Sequence, residues 1–354
     1  MKVCFVCSHL WPHSYGGAER RYYILAKELM KRGHDVVYVT YDYGESEIPL
    51  ATVGPPPRLY DEKGRRRLLP ALEFGWKTAK LVEKLKCDVV DVTVPYTTAL
   101  FMKPRSFVLT YHEYWGKYWE HYFSKPLGTL AAIAEKRLLR KAVLVITPSK
   151  LVANRILSEV GTVKVAPVPI GLNPDDYAKY RGRSRDIDVT MIGRFTYTKG
   201  WWRLIEVLRQ VDKPLRVAVV GDGPLYNEVT AQLEKLHHEV HSYRKASEEE
   251  KLELLARSKY YLNLSDAEGF SIATLEAILC GATPIVLDTG LNAAVEIVEE
   301  TGCGYIAKNL REIAEQVAKE TSTCTPNISG YTIQTFVNNY LRFLGELQTM
   351  RVNA

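Results

Sequence analysis

Tyr260-Tyr-Leu-Asn-Leu-Ser-Asp-Ala-Glu-Gly-Phe-Ser-Ile-Ala-Thr-Leu-Glu-Ala-Ile-Leu-Cys-Gly281 reads as a strand, a tight turn and a helix. The run Tyr260–Leu264 is short and apolar, Gly269 gives the turn, Ser271 can cap a helix over Ile272–Leu279, and Gly281 ends it. Backbone N–H groups of Gly269, Phe270 and Ser271 would point out of the helix start, where an anion is stabilised. Glu268 stands at the strand exit. Glu276 lies a little over one turn into the helix, where its two oxygens could accept hydrogen bonds from a ribose diol. The bland alternative is two solvent-facing glutamates and glycines that only shape the backbone, and the local pattern by itself favours that alternative.

The same alternation extends in both directions and predicts an α/β fold of parallel sheets covered by helices. Upstream, strands are expected at Val3–Cys7, Asp35–Thr40, Asp88–Val92, Phe107–Tyr111 and Val143–Thr147. Helices are expected at Ala18–Lys31, about Leu72–Lys86 and Ser149–Val160, with Pro49 to Pro57 a loop followed by Arg65-Arg66-Arg67. The turn-rich connector Pro167-Val-Pro-Ile-Gly-Leu-Asn-Pro174 marks a boundary. The alternation restarts with strands at Ile187–Ile192, Leu215–Val220, Tyr260–Leu264 and Thr283–Leu287. Helices at Trp201–Val211, Leu225–Leu236 and Glu248–Ala256 lie between them, and a helical pattern over Thr332–Leu347 ends the chain. The expected domains are 1–167, 168–330 and a terminal segment 331–354. Two doubly wound units imply a cleft, with ligands outside the carboxyl ends of the strands.

Composition sets limits on this picture. The 354 residues suit two hydrophobic cores, with 46% hydrophobic and 25% charged residues. No apolar run approaches a membrane span, and the apolar start Met1-Lys-Val-Cys-Phe-Val-Cys is too short for a signal peptide, so a cytoplasmic protein is expected. Through Lys164 there are 26 Lys+Arg against 16 Asp+Glu; subtraction from 47 and 41 leaves 21 against 25, so the halves carry about +10 and −4. A basic first half suits an anionic partner, such as a phosphate-bearing acceptor or the inner face of a membrane; a solvated basic face is the equal alternative. Nothing points to nucleic acid. The six cysteines at 4, 7, 87, 280, 303 and 324 are expected to be small buried apolar side chains, since Cys4-x-x-Cys7 lies in a strand and lacks a second pair.

Other strand exits carry charge or glycine. Ile192-Gly-Arg-Phe-Thr-Tyr-Thr-Lys-Gly200 places Gly193, Arg194 and Lys199 after a strand, where cations would stabilise negative charge that develops on a leaving group. Gly16-Gly17, after the first strand, would let amides approach a phosphate at a helix start. Val220-Gly-Asp-Gly-Pro224 reads as backbone geometry. His112 closes the strand Phe107–Tyr111. Asp186-Ile-Asp188 has the spacing of a divalent-metal clasp but precedes its strand, so no metal is expected. Tyr111 to Tyr122, with Tyr114, Trp115, Tyr118 and Trp119, is followed by Lys136-Arg137-Leu-Leu-Arg140-Lys141. Aromatic and basic residues together suit a membrane interface, a sugar-stacking groove or simple helix packing, the last slightly favoured.

Ser-x-x-Glu-Gly-Phe-x-x-x-x-Leu-Glu-Ala-x-x-x-Gly around Glu268 and Glu276 resembles the signature of family 4 retaining glycosyltransferases, which have the two-Rossmann GT-B fold. Gly-Arg…Lys-Gly at 193–200, Gly-Gly-Ala-Glu at 16–19 with Arg32-Gly-His-Asp-Val, and Gly302-Cys-Gly-Tyr-Ile306 are similar to other elements of that family, so the likeness covers nearly the whole chain. The resemblance implies a nucleoside-diphosphate-sugar donor in the second domain and a glycan, lipid-linked or small-molecule acceptor in the first. It implies Glu276 on the ribose, Glu268 beside the reacting sugar, Arg194 and Lys199 on the diphosphate, and His112 near the donor sugar. It also implies a final helix that crosses back to the first domain, and no cofactor beyond the donor. His112-Glu113 departs from the family's His-Asp. The rival classes are a nucleotide-sugar epimerase on the same fold and a non-catalytic nucleotide-sugar-binding subunit.

Overall fold

The computed structural model describes residues 1–14, 16–61, 66–122, 124–319 and 324–352; Arg65 of the basic triplet lies outside them, as does the side chain of Tyr122. Two compact units divide the chain, one of Met1–Gly171 with Ile333–Ala354 and one of Leu172–Thr332.

In the first unit β1 (Lys2–Val6), β2 (Asp35–Thr40), β3 (Leu50–Thr52), β4 (Val89–Val92), β5 (Val108–Thr110), β6 (Leu144–Thr147) and β7 (Val165–Pro167) form a parallel sheet in the order β3-β2-β1-β4-β5-β6-β7. In the second, β8 (Ile187–Ile192), β9 (Arg216–Val220), β10 (Glu239–Tyr243), β11 (Ser258–Asn263), β12 (Thr283–Leu287) and β13 (Tyr305–Ala307) follow the order β10-β9-β8-β11-β12-β13. Both are Rossmann-like, and each reverses strand order beside its first strand. The central strands are rich in valine and isoleucine because helices cover both faces, and Val3, Val6, Val92, Val189, Val219 and Ile285 are buried.

The final helix, Ile333–Val352, packs in the first unit. Its Tyr340 hydroxyl donates to the buried Asp91 carboxylate at 2.9 Å, which also accepts from Tyr22 (2.6 Å) and Thr110 (2.8 Å). Burial pushes the Asp91 pKa up and these hydrogen bonds oppose it. Among the described residues no helix is long and apolar enough to cross a membrane.

The structure differs from the sequence expectation at several points. The loop from Pro49 to Pro57 contains β3, a three-residue edge strand that pairs Leu50 with Tyr38. The helix expected from Leu72 starts at Leu68. A helix over Lys125–Lys141 was not expected, because its apolar residues do not form one inward stripe. The cysteine reading fails for four of six: Cys4–Cys87 and Cys303–Cys324 are disulfides, while Cys7 and Cys280 are buried thiols. Cys4 and Cys87 are 83 residues apart, a pairing that only the sheet reveals. Helix packing accounts for part of the aromatic stretch: Tyr111 and Tyr114 are buried, and Trp115 stacks on Trp119 at 5.0 Å.

Candidate functional site

Two loops at strand exits of the second unit are built as one piece. The β8 loop runs from Gly193 to Gly200 and the β11 loop from Leu264 to Ser271. Asp266 N donates to Thr198 O at 2.8 Å, Arg203 donates to Leu264 O at 2.9 Å, and Arg203 pairs with Asp266 at 2.5 Å. Beneath the first loop Phe195 stacks on Trp201 with centroids 3.8 Å apart, and the Trp201 indole donates to Arg194 O at 2.9 Å.

Gly200 makes the close approach work. Its φ of 77° is left-handed, and a Cβ there would overlap the Leu264 carbonyl. The Gly200→Ala variant is therefore expected to lose at least ~2 kcal/mol of stability, read as a lower urea midpoint at unchanged slope. An unshifted midpoint would contradict this packing. The Gly221 turn approaches Gly193 O in the same way, which gives Gly-Asp-Gly its backbone role.

Lys199 Nζ stands 2.5 Å from Glu268 Oε2. The side chains are 27% and 14% exposed, so the pair faces a partly accessible site. The Glu268 backbone is fixed on both sides: its N–H donates to Leu291 O at 3.0 Å and its carbonyl accepts from Ala293 N at 2.9 Å. Asn292, between them, donates to Asn263 Oδ1 (3.2 Å) and Leu287 O (3.1 Å). Asn263 in turn donates to Ser271 Oγ at 2.9 Å. Two buried asparagines thus tie both turns to the sheet; neither stands out in the sequence, where they lie 29 residues apart.

Glu276 sits on the helix Ile272–Cys280, its side chain 2% exposed. Its carboxylate meets Lys251 Nζ at 2.9 Å and accepts from the Tyr177 hydroxyl at 3.4 Å. Lys251 comes from the helix Glu248–Ala256 and also meets Glu248 at 2.8 Å. Sequence reading missed this cation, which lies among four glutamates on what reads as an ordinary surface helix. Ser271 accepts from Thr274 N at 3.3 Å as the cap, with φ 79° and ψ 81°, a left-handed conformation costly for a serine. With the Ser271 hydroxyl thus engaged and Phe270 packed against Tyr331 at 5.8 Å, their backbone amides are what this turn offers a ligand. Arg194 is exposed at the β8 exit, beside Gly193.

His112 and the Gly16-Gly17 pair belong to the first unit. His112 follows β5; its N–H donates to the Tyr96 hydroxyl at 3.1 Å, and its buried Nε2 has no hydrogen-bond partner. Burial, reinforced by the charge of Arg21, pushes its pKa down to about 3, so the imidazole is neutral at physiological pH. A neutral ring with one unsatisfied nitrogen is suited to hydrogen-bonding a hydroxyl rather than to supplying charge. Gly16 caps the helix Gly17–Lys31, and the Glu19 carboxylate lies against it, so an anion already stands near those amides. Asp186 and Asp188, read as poorly placed for a metal, pair with Arg257 and Lys259. Among the described residues no group of three or more His, Cys, Asp or Glu side chains could hold a metal ion.

Two Rossmann-like parallel-sheet units, with acidic and basic loops at the strand exits of the second, have the architecture of the GT-B fold. The sequence matches Glycosyltransferase Family 4 over residues 15–176 and Glycosyl transferases group 1 over residues 174–321. The chain belongs to these family 4, group 1 glycosyltransferases. It is 22% identical to a subunit of human phosphatidylinositol N-acetylglucosaminyltransferase over 346 residues, 90% of this chain and 68% of that one. The corresponding Arabidopsis thaliana protein is 26% identical over 82% of this chain and 68% of its own. Among solved structures, Anabaena HepE in complex with UDP and glucose superimposes with a TM-score of 0.72 at 17% identity, over 98% of this chain and 100% of that one.

Proposed function

We propose that this glycosyltransferase moves a hexose-type sugar from a nucleoside-diphosphate sugar to a glycan or lipid-linked acceptor, with retention of configuration and without a metal ion. The carrying observation is the Lys199–Glu268 pair at 2.5 Å, on loops bonded to one another and followed by the buried Glu276. In this reading Glu276 holds the ribose diol and the amides of Gly269, Phe270 and Ser271 meet the phosphates. Arg194 and Lys199 meet the diphosphate as the sugar–oxygen bond breaks. An ammonium has three donors, so Lys199 can keep Glu268 and still reach a phosphate oxygen. Glu268 positions the sugar and offsets positive charge at its anomeric carbon. The acceptor oxygen bonds to that carbon as the diphosphate oxygen leaves, and the departing oxygen takes the acceptor's proton on the same face.

The first unit, with His112 and the Gly16-Gly17 turn, is assigned the acceptor, and a cytoplasmic location fits these substrates. UDP in the HepE complex supports a uridine donor as the first to test, and the names of the human and plant relatives support a lipid-linked acceptor. The test is thermal stabilisation by a panel of UDP-, GDP- and ADP-sugars, with slow donor hydrolysis scored alongside. One donor class is expected to raise the melting temperature by several degrees. Stabilisation by none would sink the proposal, and binding without hydrolysis or transfer would favour a non-catalytic role.

A further inference from the structure

The helix Lys125–Lys141 carries its charge and its apolar groups in unusual places. Its one acid, Glu135, is buried, accepting from Tyr111 Oη (2.6 Å), Trp115 N (3.1 Å), Gly116 N (2.7 Å) and Trp119 Nε1 (3.1 Å). Leu127, Leu130 and Ile133 point the other way, 57%, 62% and 43% exposed, at helical spacing along one side. Lys125, Arg137 and Arg140 are exposed on the same helix. At its end Lys141 donates to Leu100 O at 2.7 Å, joining it to the short helix Thr98–Phe101, where Leu100 and Phe101 are 50% and 45% exposed. Lys103 and Arg105 follow, also exposed.

A single exposed leucine needs no explanation, but an apolar ridge on two joined helices does. Charge identifies what covers it. From Thr98 to Lys141 there are eight Lys+Arg (103, 105, 117, 125, 136, 137, 140, 141) against three Asp+Glu (113, 120, 135), and Glu135 faces inward. A second copy of the chain would set these cations against one another across a two-fold interface. An anionic bilayer answers both features: leucine and phenylalanine enter the headgroup boundary while lysine and arginine meet lipid phosphates.

We propose that the face built from Leu127, Leu130, Ile133, Leu100 and Phe101, with Arg137 one turn beyond Ile133 and Lys125 exposed at the helix start, seats the protein on the surface of an anionic lipid bilayer. The inference rests on the glycosyltransferase reading for its purpose: Glu135 holds the loop that follows His112, so the helix lying on the lipid also fixes a loop of the unit assigned to the acceptor. Tyr111, Trp115 and Trp119 contribute by shaping that loop, and the helix supplies the lipid-facing groups.

The test is flotation, without donor, on vesicles of phosphatidylcholine alone and of phosphatidylcholine with an equal part of phosphatidylglycerol, at low and high salt. The wild-type protein is expected to float with the anionic vesicles at low salt, to float less at high salt, and not to float with phosphatidylcholine alone. Leu127→Ser/Leu130→Ser/Ile133→Ser and, separately, Lys125→Glu/Arg137→Glu are each expected to reduce the bound fraction at least tenfold. Both should keep the wild-type melting temperature and UDP-sugar stabilisation. Wild-type protein that stays unbound at low salt overturns the proposal, as does either folded variant floating like wild type. A dimer in light scattering that the serine variant abolishes assigns the face to a second copy and overturns it too. Failed flotation with intact donor stabilisation removes only this surface; flotation without donor stabilisation removes the transferase reading and leaves the surface standing.

Discussion

Glu268→Gln is expected to lower kcat about 100-fold, a loss of about 2.7 kcal/mol in transition-state stabilisation, while the donor KM changes less than about threefold. The substitution keeps the shape and one acceptor oxygen for Lys199, and the backbone stays fixed through Leu291 and Ala293, so the main loss is the charge. In the proposed transfer that charge acts where the anomeric carbon becomes positive, a demand absent from the bound donor. The loss therefore belongs in kcat. Lys199→Met should cost a similar factor, because it removes a cation from the leaving diphosphate. The double variant should lose less than the product of the two, since the groups meet at 2.5 Å. Steady-state kinetics on the four proteins decides the matter. An unchanged kcat in Glu268→Gln would end the assigned role, and fully multiplicative losses would mean that the pair does not act as a unit.

How far this site was legible depended on what holds each group in place. Glu268 and Glu276 sit in one strand–turn–helix, where sequence spacing is spatial spacing, and Ser271 and Gly281 take their expected cap positions. Arg194 and Lys199 were readable as charges after a strand. What the sequence does not display is contact between distant segments. Lys251 approaches Glu276 across 25 residues, and Asn263 meets Asn292 across 29. Asparagine is expected in turns on local grounds, so a buried amide network looks like ordinary loop composition until strands are placed side by side. The fold followed from alternation of apolar runs; β3, β7, β10 and β13 were missed because short edge strands bury too few side chains to leave a pattern. The helix Lys125–Lys141 escaped because its apolar residues are divided between a buried side, with Leu139, and an exposed side, with Leu127, Leu130 and Ile133.

Glu276→Ala should fail in two ways that a second variant can separate. The donor should bind roughly 100-fold more weakly, since the ribose diol loses a charged acceptor worth about 1.5–3 kcal/mol per hydrogen bond. The fold should also lose about 3 kcal/mol, because Lys251, 12% exposed, is left beside an apolar cavity with only part of its carboxylate environment, Glu248, still in contact. Weak binding in that variant alone could reflect a loosened helix. Lys251→Met/Glu276→Leu removes the ambiguity. Replacing a buried ion pair by apolar side chains of similar volume is often neutral or stabilising, so urea unfolding should return to within about 1 kcal/mol of wild type. Titration with a UDP-sugar should still show the full loss of affinity. If binding recovers with stability, Glu276 is a structural acid and the ribose assignment is wrong. If it stays lost while the fold is restored, the carboxylate itself is what the donor needs. Lys251→Met alone then measures whether the lysine positions Glu276: it should weaken donor binding less than Glu276→Ala does, because the acceptor remains but its orientation is no longer held from the neighbouring helix.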